Sequence, residues 1–233
     1  MRISIPAGLS AALAVLVVAS GAAAPAAVAA PPKCTDIDTE LVANNCVQKI
    51  VDPGYTVDIS FPSIFPNQKP VLEYVKQTRD GFLNLAKGSG ARLAPYTLEM
   101  KSLEFNSSVP PRGTQTLVLE TFEDTGGAHP SSFYKAFNWD QGYRKALTIP
   151  TLFREGTDPI PVIEPLVQAE IARQFGDGTV ISDAVAANPD TYQNFALTND
   201  EMMFFFDRGA VLAESFGAIV VSIPREAVAP MFA

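Results

Sequence analysis

Histidine and cysteine are nearly absent from this chain of 233 residues, which has one His, two Cys and a single Trp. A zinc site built on imidazole or thiolate needs about 3–4 such ligands, so that class of metal centre is excluded. Basic residues are scarce as well. Seventeen Lys and Arg stand against 25 Asp and Glu, for a net charge of −8 and a pI near 4.7. Such a surface repels a phosphate backbone, and no nucleic-acid partner is expected. Phosphate loops, dinucleotide glycine fingerprints, EF-hand spacing and the Gly-x-Ser-x-Gly elbow are all missing, and no cofactor is expected. No apolar run reaches the roughly 20 residues that a bilayer-spanning helix requires.

What is present begins with an export signal. Arg2 precedes an apolar run from Leu9 to Val18, then small residues, then Ala27-Val28-Ala29, the small-x-small pattern of a signal-peptidase site. Residues 1–29 read as a secretory signal peptide and 30–233 as a single secreted domain. Cys34 follows Pro32-Lys33, which is no lipobox, so no membrane anchor is expected after cleavage. In an oxidising compartment Cys34 and Cys46 are expected to form a disulfide that contributes about 2–4 kcal/mol. The alternative, a reactive thiol pair, normally shows Cys-x-x-Cys spacing.

Thr56 to Phe61 alternates polar and apolar residues, the pattern of a half-buried strand, and Pro62 and Pro66 stop it. From Pro70 to Lys87 the residues Val71, Val75, Phe82, Leu85 and Ala86 recur at helical intervals, with Thr78 in the missing turn. Gly88 and Gly90 end that helix, and Gly81 inside it costs about 1 kcal/mol against Ala. Tyr96, Leu98 and Met100 share one strand face, but Leu103 and Phe105 resume on the opposite parity, which predicts a bulge near Lys101-Ser102. Pro110-Pro111-Arg112-Gly113 turns into a strand from Thr114 to Phe122. Strands from Ser131 to Asn138 and Lys145 to Thr148 then complete an antiparallel meander. A second helix is predicted from Val162 to Phe175, closed by Gly176. Strands follow over Asn194–Thr198, Met202–Asp207 and Ile219–Ile223, and Pro224 opens a short helix. Five successive apolar residues, Met202 to Phe206, imply a strand covered on both faces. Clustered strands with few helices make the fold class α+β.

The candidate chemistry is sparse. His129 could join Ser131 or Ser132 and Asp140 in a hydrolytic triad, although its place before Pro130 also suits a plain strand entry. Glu120, Glu123 and Asp124, or Asp200 and Glu201, are possible carboxylate pairs, and also ordinary turn acids. For recognition, Trp139, Asp140, Tyr143 and Arg144 form the candidate binding surface, because Trp, Tyr and Arg beside a turn are the residue types that dominate interfaces. Phe133 and Phe137 are expected in the core.

Several runs resemble the mycobacterial secreted immunogenic protein family. They include Asp52-Pro53-Gly54-Tyr55, Pro62 to Lys69, Gln77-Thr78-Arg79-Asp80, Pro110 to Gln115, Gly126-Gly127-Ala128-His129-Pro130, Tyr134 to Gln141 and Tyr192 to Ala196. The likeness covers nearly all of the chain after the leader, including Cys34 and Cys46. It implies an α+β antigen with an antiparallel, β-grasp-like sheet packed on one long and one shorter helix, and no established enzymatic activity. Gly126, Gly127, His129 and Pro130 then form a structural turn. The stretch from about Gly126 to Glu226 also resembles the extracellular domain of the anti-sigma factor RsiV. That second likeness implies lysozyme as a partner, and a basic ligand suits an acidic chain. With no transmembrane helix and no sigma-binding segment, RsiV-type signalling does not carry over. The expectation is a secreted, monomeric, non-catalytic protein that binds an unidentified host or envelope macromolecule. Lysozyme binding and hydrolysis through His129 are the alternatives.

Overall fold

A long helix laid across a seven-stranded sheet organises the first half of the chain in the computed structural model, which describes residues 33–88, 95–108 and 113–233. The expected signal peptide, Gly90 and Pro110-Pro111-Arg112 lie outside the described residues. The sheet contains β1 (Glu40–Val42), β2 (Asn45–Asp52), β3 (Tyr55–Pro62), β4 (Tyr96–Ser107), β5 (Thr114–Asp124), β6 (Ser131–Asp140) and β7 (Lys145–Leu147), in that spatial order. Every neighbouring pair is antiparallel except β3 and β4. Helix α1 (Gln68–Ala86) carries the chain back between them, so β4 starts again at the same end as β3. The expected wholly antiparallel sheet is therefore a mixed one.

The inner stripe of α1 is Val71, Leu72, Val75, Arg79, Phe82 and Ala86. Leu85 was expected in that stripe but is 54% exposed, and Arg79 rather than Thr78 fills the gap at 3% exposure. The guanidinium stays buried because it is satisfied. It donates to the carbonyl of Ile37, donates through Nη2 and Nε to Asp80 Oδ1 at 2.7 and 2.9 Å, and lies 3.6 Å from Asp38. Ile37 belongs to a 3-10 turn, Cys34–Ile37, which the Cys34–Cys46 disulfide joins to β2 across a Cα separation of 5.2 Å. Disulfide and arginine together fasten the N-terminal turn beneath the helix.

A second, smaller sheet takes up the C-terminal part. It contains β8 (Phe195–Leu197), β9 (Glu201–Phe206) and β10 (Ile219–Pro224), in the order β10-β9-β8. Before it come α2 (Ile149–Leu152), α3 (Ile160–Phe175) and α4 (Asp183–Ala186), and after it α5 (Arg225–Val228). The shorter of the two expected helices, α3, packs on this sheet and not on the large one. Its Ile163, Val167 and Ile171 share a core with Phe204, Phe206, Val221 and Ile223. The opposite face of β9 offers Met203 and Phe205 to Val118 and Tyr134 of the large sheet, so β9 is covered on both sides as expected.

The parity change in β4 has a different cause from the expected bulge. The ladder to β5 is unbroken from Thr97↔Asp124 to Ser107↔Thr114. Leu98 and Met100 belong to the core under α1, whereas Phe105 packs 5.7 Å from Phe205 of the small sheet. The strand keeps its register, and the buried face changes along its length.

The two sheets are also joined by polar side chains. β7 pairs only with residues 138–140 of β6, so the rest of that edge lacks a strand partner. Asn194 supplies one in miniature, its Oδ1 accepting from Ala136 N at 3.0 Å and its Nδ2 donating to Tyr134 O at 3.0 Å. Asp207 Oδ1 accepts from Tyr134 N at 2.7 Å, and Arg208 N donates to Ser132 O at 2.9 Å. Asn138 accepts from Thr116 Oγ1 and donates to Phe195 O.

Two substitutions test this account. Gly81 is exposed within α1, and a Cβ built there meets nothing within 4 Å. Gly81→Ala should raise stability by about 1 kcal/mol in urea unfolding. Asn194→Ala strands one donor and one acceptor on β6 and should lower stability by about 2–3 kcal/mol in the same assay.

Candidate functional site

The turn between β6 and β7 is held from below. Asp140 is fully buried and accepts from Tyr143 N at 2.8 Å, an Asx-type bond that folds the chain back. Gln141 N donates to Gly113 O at 2.9 Å, which ties the turn to the start of β5. Arg144 closes it in the left-handed region, at φ 54°. That conformation costs a non-glycine residue free energy and persists only where neighbours enforce it. The result is a rigid rim on which Tyr143 is 65% exposed, with Lys145 Nζ 5.2 Å from its ring centre and Arg144 exposed beside it.

Three of the four expected surface residues therefore lie at a surface. Asp140 does not. Its side chain lines a small pocket with Thr114, Leu147, Leu152 and Arg225, because β6 turns it toward the second sheet. Its role is to hold the turn. Trp139, on the opposite face, is half-buried and belongs to none of the three apolar clusters.

Arg225 is the polar centre behind the rim. It is 3% exposed and donates through Nη1 to Ser107 Oγ at 2.5 Å and to Thr198 O at 2.7 Å. Its backbone N–H donates to Asp200 O at 2.8 Å, and its guanidinium lies 5.4 Å from the Phe232 ring centre. Burial pulls its pKa below the ordinary arginine value.

The alternative triad around His129 does not assemble. Asp140 sits nine residues along β6 from Ser131, about 30 Å away at the strand rise. His129 is exposed, and its imidazole makes no hydrogen bond among the described residues. It borders an open groove with Ser131, Ser132, Asp207, Arg208 and Glu214. Arg208 is committed there to the carbonyls of Pro130 and Glu214, at 2.7 and 3.0 Å. Within the turn, Gly126 has φ +74° and accepts no side chain, since a Cβ would come within 3.0 Å of the Tyr96 ring. Gly127 carries no such constraint.

The carboxylate pairs fare no better. The alternation of β5 sends Glu120 and Glu123 to opposite faces. Glu123, pushed up by burial, faces the α1 side, while Asp124 Oδ1 caps Gly126 N at 2.9 Å. Glu120 lies 3.5 Å from the Tyr134 hydroxyl. Burial first, then Glu120 and Asp207, push that hydroxyl up to about 12. Asp200 and Glu201 sit in a turn whose N–H groups both donate to Thr198 Oγ1.

MPT64, an immunogenic protein of Mycobacterium tuberculosis, is 44% identical over 208 residues, covering 89% of this chain and 91% of its own. The chain belongs to the MPT64 immunogenic protein family. A second M. tuberculosis relative, the esterase Rv3036c, is 41% identical over 206 residues, 88% of this chain and 91% of that one. The family model described as a protein of unknown function, DUF3298, matches residues 150–226, which places the RsiV-like region in the C-terminal half. A DUF3298 family protein from Pseudomonas aeruginosa shares the fold, with a TM-score of 0.55 at 16% identity over 84% of this chain and 96% of that one.

Several of the residues in which the MPT64 family resemblance is expressed turn out to be structural fasteners. Arg79, Asn138 and Asn194 fall inside its motifs and are all committed to internal hydrogen bonds. Asp207 and Arg225 were not singled out from the sequence. For Asp207 the available signal was a polar residue directly after five successive apolar ones.

Asp207 gives a pH test. Burial, its largest influence, raises its pKa above the ordinary 3.8, against the Tyr134 hydrogen bond and Lys135, which lower it. The folded state therefore holds this proton more readily than the unfolded chain. The resulting stabilisation is complete below the unfolded pKa and disappears as pH rises through the folded one. Asp207→Asn keeps an oxygen for Tyr134 N without the charge. Urea midpoints of parent and variant should coincide below about pH 4 and diverge above it, with the variant the more stable.

Proposed function

We propose that this chain is an exported, non-catalytic recognition protein that binds a cell-envelope or host macromolecule through the β6–β7 rim. The observation that carries the reading is Tyr143, 65% exposed beside Arg144 on a turn locked by buried Asp140. Such a rim presents an aromatic and a cation with little conformational freedom left to lose on binding. The leader-like N-terminus and the MPT64 relatives support export. No helix among the described residues is long and apolar enough to cross a membrane.

Lysozyme is the finer form of this reading, through the RsiV likeness. A basic partner is drawn by the overall charge of −8. At the rim it would meet Arg144 and Lys145, so the acidic surface elsewhere must carry the attraction. A second reading, ester hydrolysis at the His129 groove, is favoured by the relative named as an esterase.

Interferometry of the immobilised chain against lysozyme and against isolated cell-wall fragments, at low and physiological salt, tests the proposal. Binding that survives salt and falls at least about tenfold in Tyr143→Ala or Arg144→Ala is the expected result. Binding to either probe that is indifferent to both substitutions would remove the rim from consideration. Turnover of a short-chain nitrophenyl ester that is lost in His129→Ala would replace recognition with hydrolysis.

A further inference from the structure

One row of side chains crosses the large sheet beyond the reach of α1. Ladder partners set Asn106 opposite Gln115, Gln115 opposite Trp139, and Trp139 opposite Ala146. Directly paired residues share a face, so the four side chains stand side by side at about 4.8 Å intervals, a strip about 14 Å wide. The neighbouring row, Glu104–Leu117–Phe137, marks where the helix stops covering the sheet. Leu117 is buried in the core, and Phe137 meets Tyr74 of α1 edge to face at 5.9 Å. In the outer row Asn106 and Ala146 are exposed, and Gln115 and Trp139 are half-buried. Among the described residues the indole has no ring or cation partner, and its N–H makes no hydrogen bond.

The chemistry of the strip is selective. It offers one aromatic face, an indole donor and two carboxamides, each able to donate and accept. The row itself carries no cation, and Glu104 stands exposed one row in. An anionic polymer would face that carboxylate and the overall charge of −8. An apolar protein knob would cover the carboxamides and leave them unsatisfied. A neutral chain of sugar rings meets each requirement, with C–H faces for the indole and polar substituents for the amides.

We propose that this row binds a neutral glycan bearing acetamido groups. Trp139 stacks against a sugar ring, and Asn106 and Gln115 exchange paired hydrogen bonds with the acetamido amides. The inference rests on the recognition reading and specifies its ligand class.

Trp139 is the only tryptophan, so tryptophan emission reports on this row alone. The full chain is titrated with the β-1,4-linked tetramer of N-acetylglucosamine, and in parallel with the corresponding glucose tetramer. A saturable blue shift with the first and none with the second is expected. Asn106→Ala and Gln115→Ala should each weaken binding about tenfold while leaving the urea midpoint unchanged, since neither side chain supports the core. Calorimetry on Trp139→Phe, which lacks the reporter, should show a comparable loss. An emission that stays fixed at millimolar tetramer, or responds equally to both sugars, overturns the assignment, as does tetramer affinity unchanged in Asn106→Ala and Gln115→Ala. A silent titration together with Tyr143-dependent interferometric binding overturns the glycan while the recognition reading stands. If both experiments are silent, both fail.

Discussion

The hydrogen bonds that Asn194 and Asp207 make to the free edge of β6 are the constraint on which the remaining architecture depends. An unpaired strand edge is a template for another chain, and a protein must cover or disrupt it. Here two side chains from the small sheet satisfy backbone groups of Tyr134 and Ala136 as a neighbouring strand would. That contact fixes where the second sheet sits against the first. It sets Phe205 over Tyr134, with ring centres 5.4 Å apart, and brings Phe195 O to Asn138. Arg225 completes the join at the other end through Ser107 and Thr198. Position comes from the polar contacts, and the apolar surface between them supplies most of the stabilisation.

This arrangement explains the location of the candidate surface. β6 alternates between two environments, with Asn138 and Asp140 turned toward the second sheet and Phe137 and Trp139 toward the helix side. Because α1 ends before the last row, the same alternation that buries Asp140 leaves Trp139 half-open. The outer row is therefore the product of a mismatch in length, a helix shorter than the sheet it covers, and the rim is the turn that buried Asp140 folds back beside it. Neither is a loop insertion, and both stand on a ladder whose register is paired on either side.

Local periodicity was enough to locate most elements, because the 2.0 and 3.6 periods are written in neighbouring residues. The strand over 56–61, the helix ending near Lys87 and the apolar strand at 202–206 all occur within a residue or two of expectation. Long-range partnership is not written that way. The parity change at Leu103 and Phe105 signalled a second cover for the sheet, yet a bulge accounts for the same pattern when the cover is unseen. Thr78 was given the place in the helix stripe that Arg79 takes, because the acceptor that lets Arg79 be buried, Ile37, lies 42 residues away. Asp140 looked like an interface residue by its company, although its alternation with Trp139 sends it inward. Tyr143 and Arg144 were legible because a turn between polar residues has no core to enter.

Chain order gives β6 an interval of vulnerability. Synthesis delivers Ser131–Asp140 well before Asn194 and Asp207, which cap it from 58 and 73 residues downstream. Until those residues arrive, a complete meander would present an open, aromatic-rich edge to any other chain nearby. A chain that stays unfolded until its C-terminal segment emerges avoids that hazard. Chains truncated ahead of Asn194 would keep the edge permanently, and they are the forms of this protein most exposed to self-association.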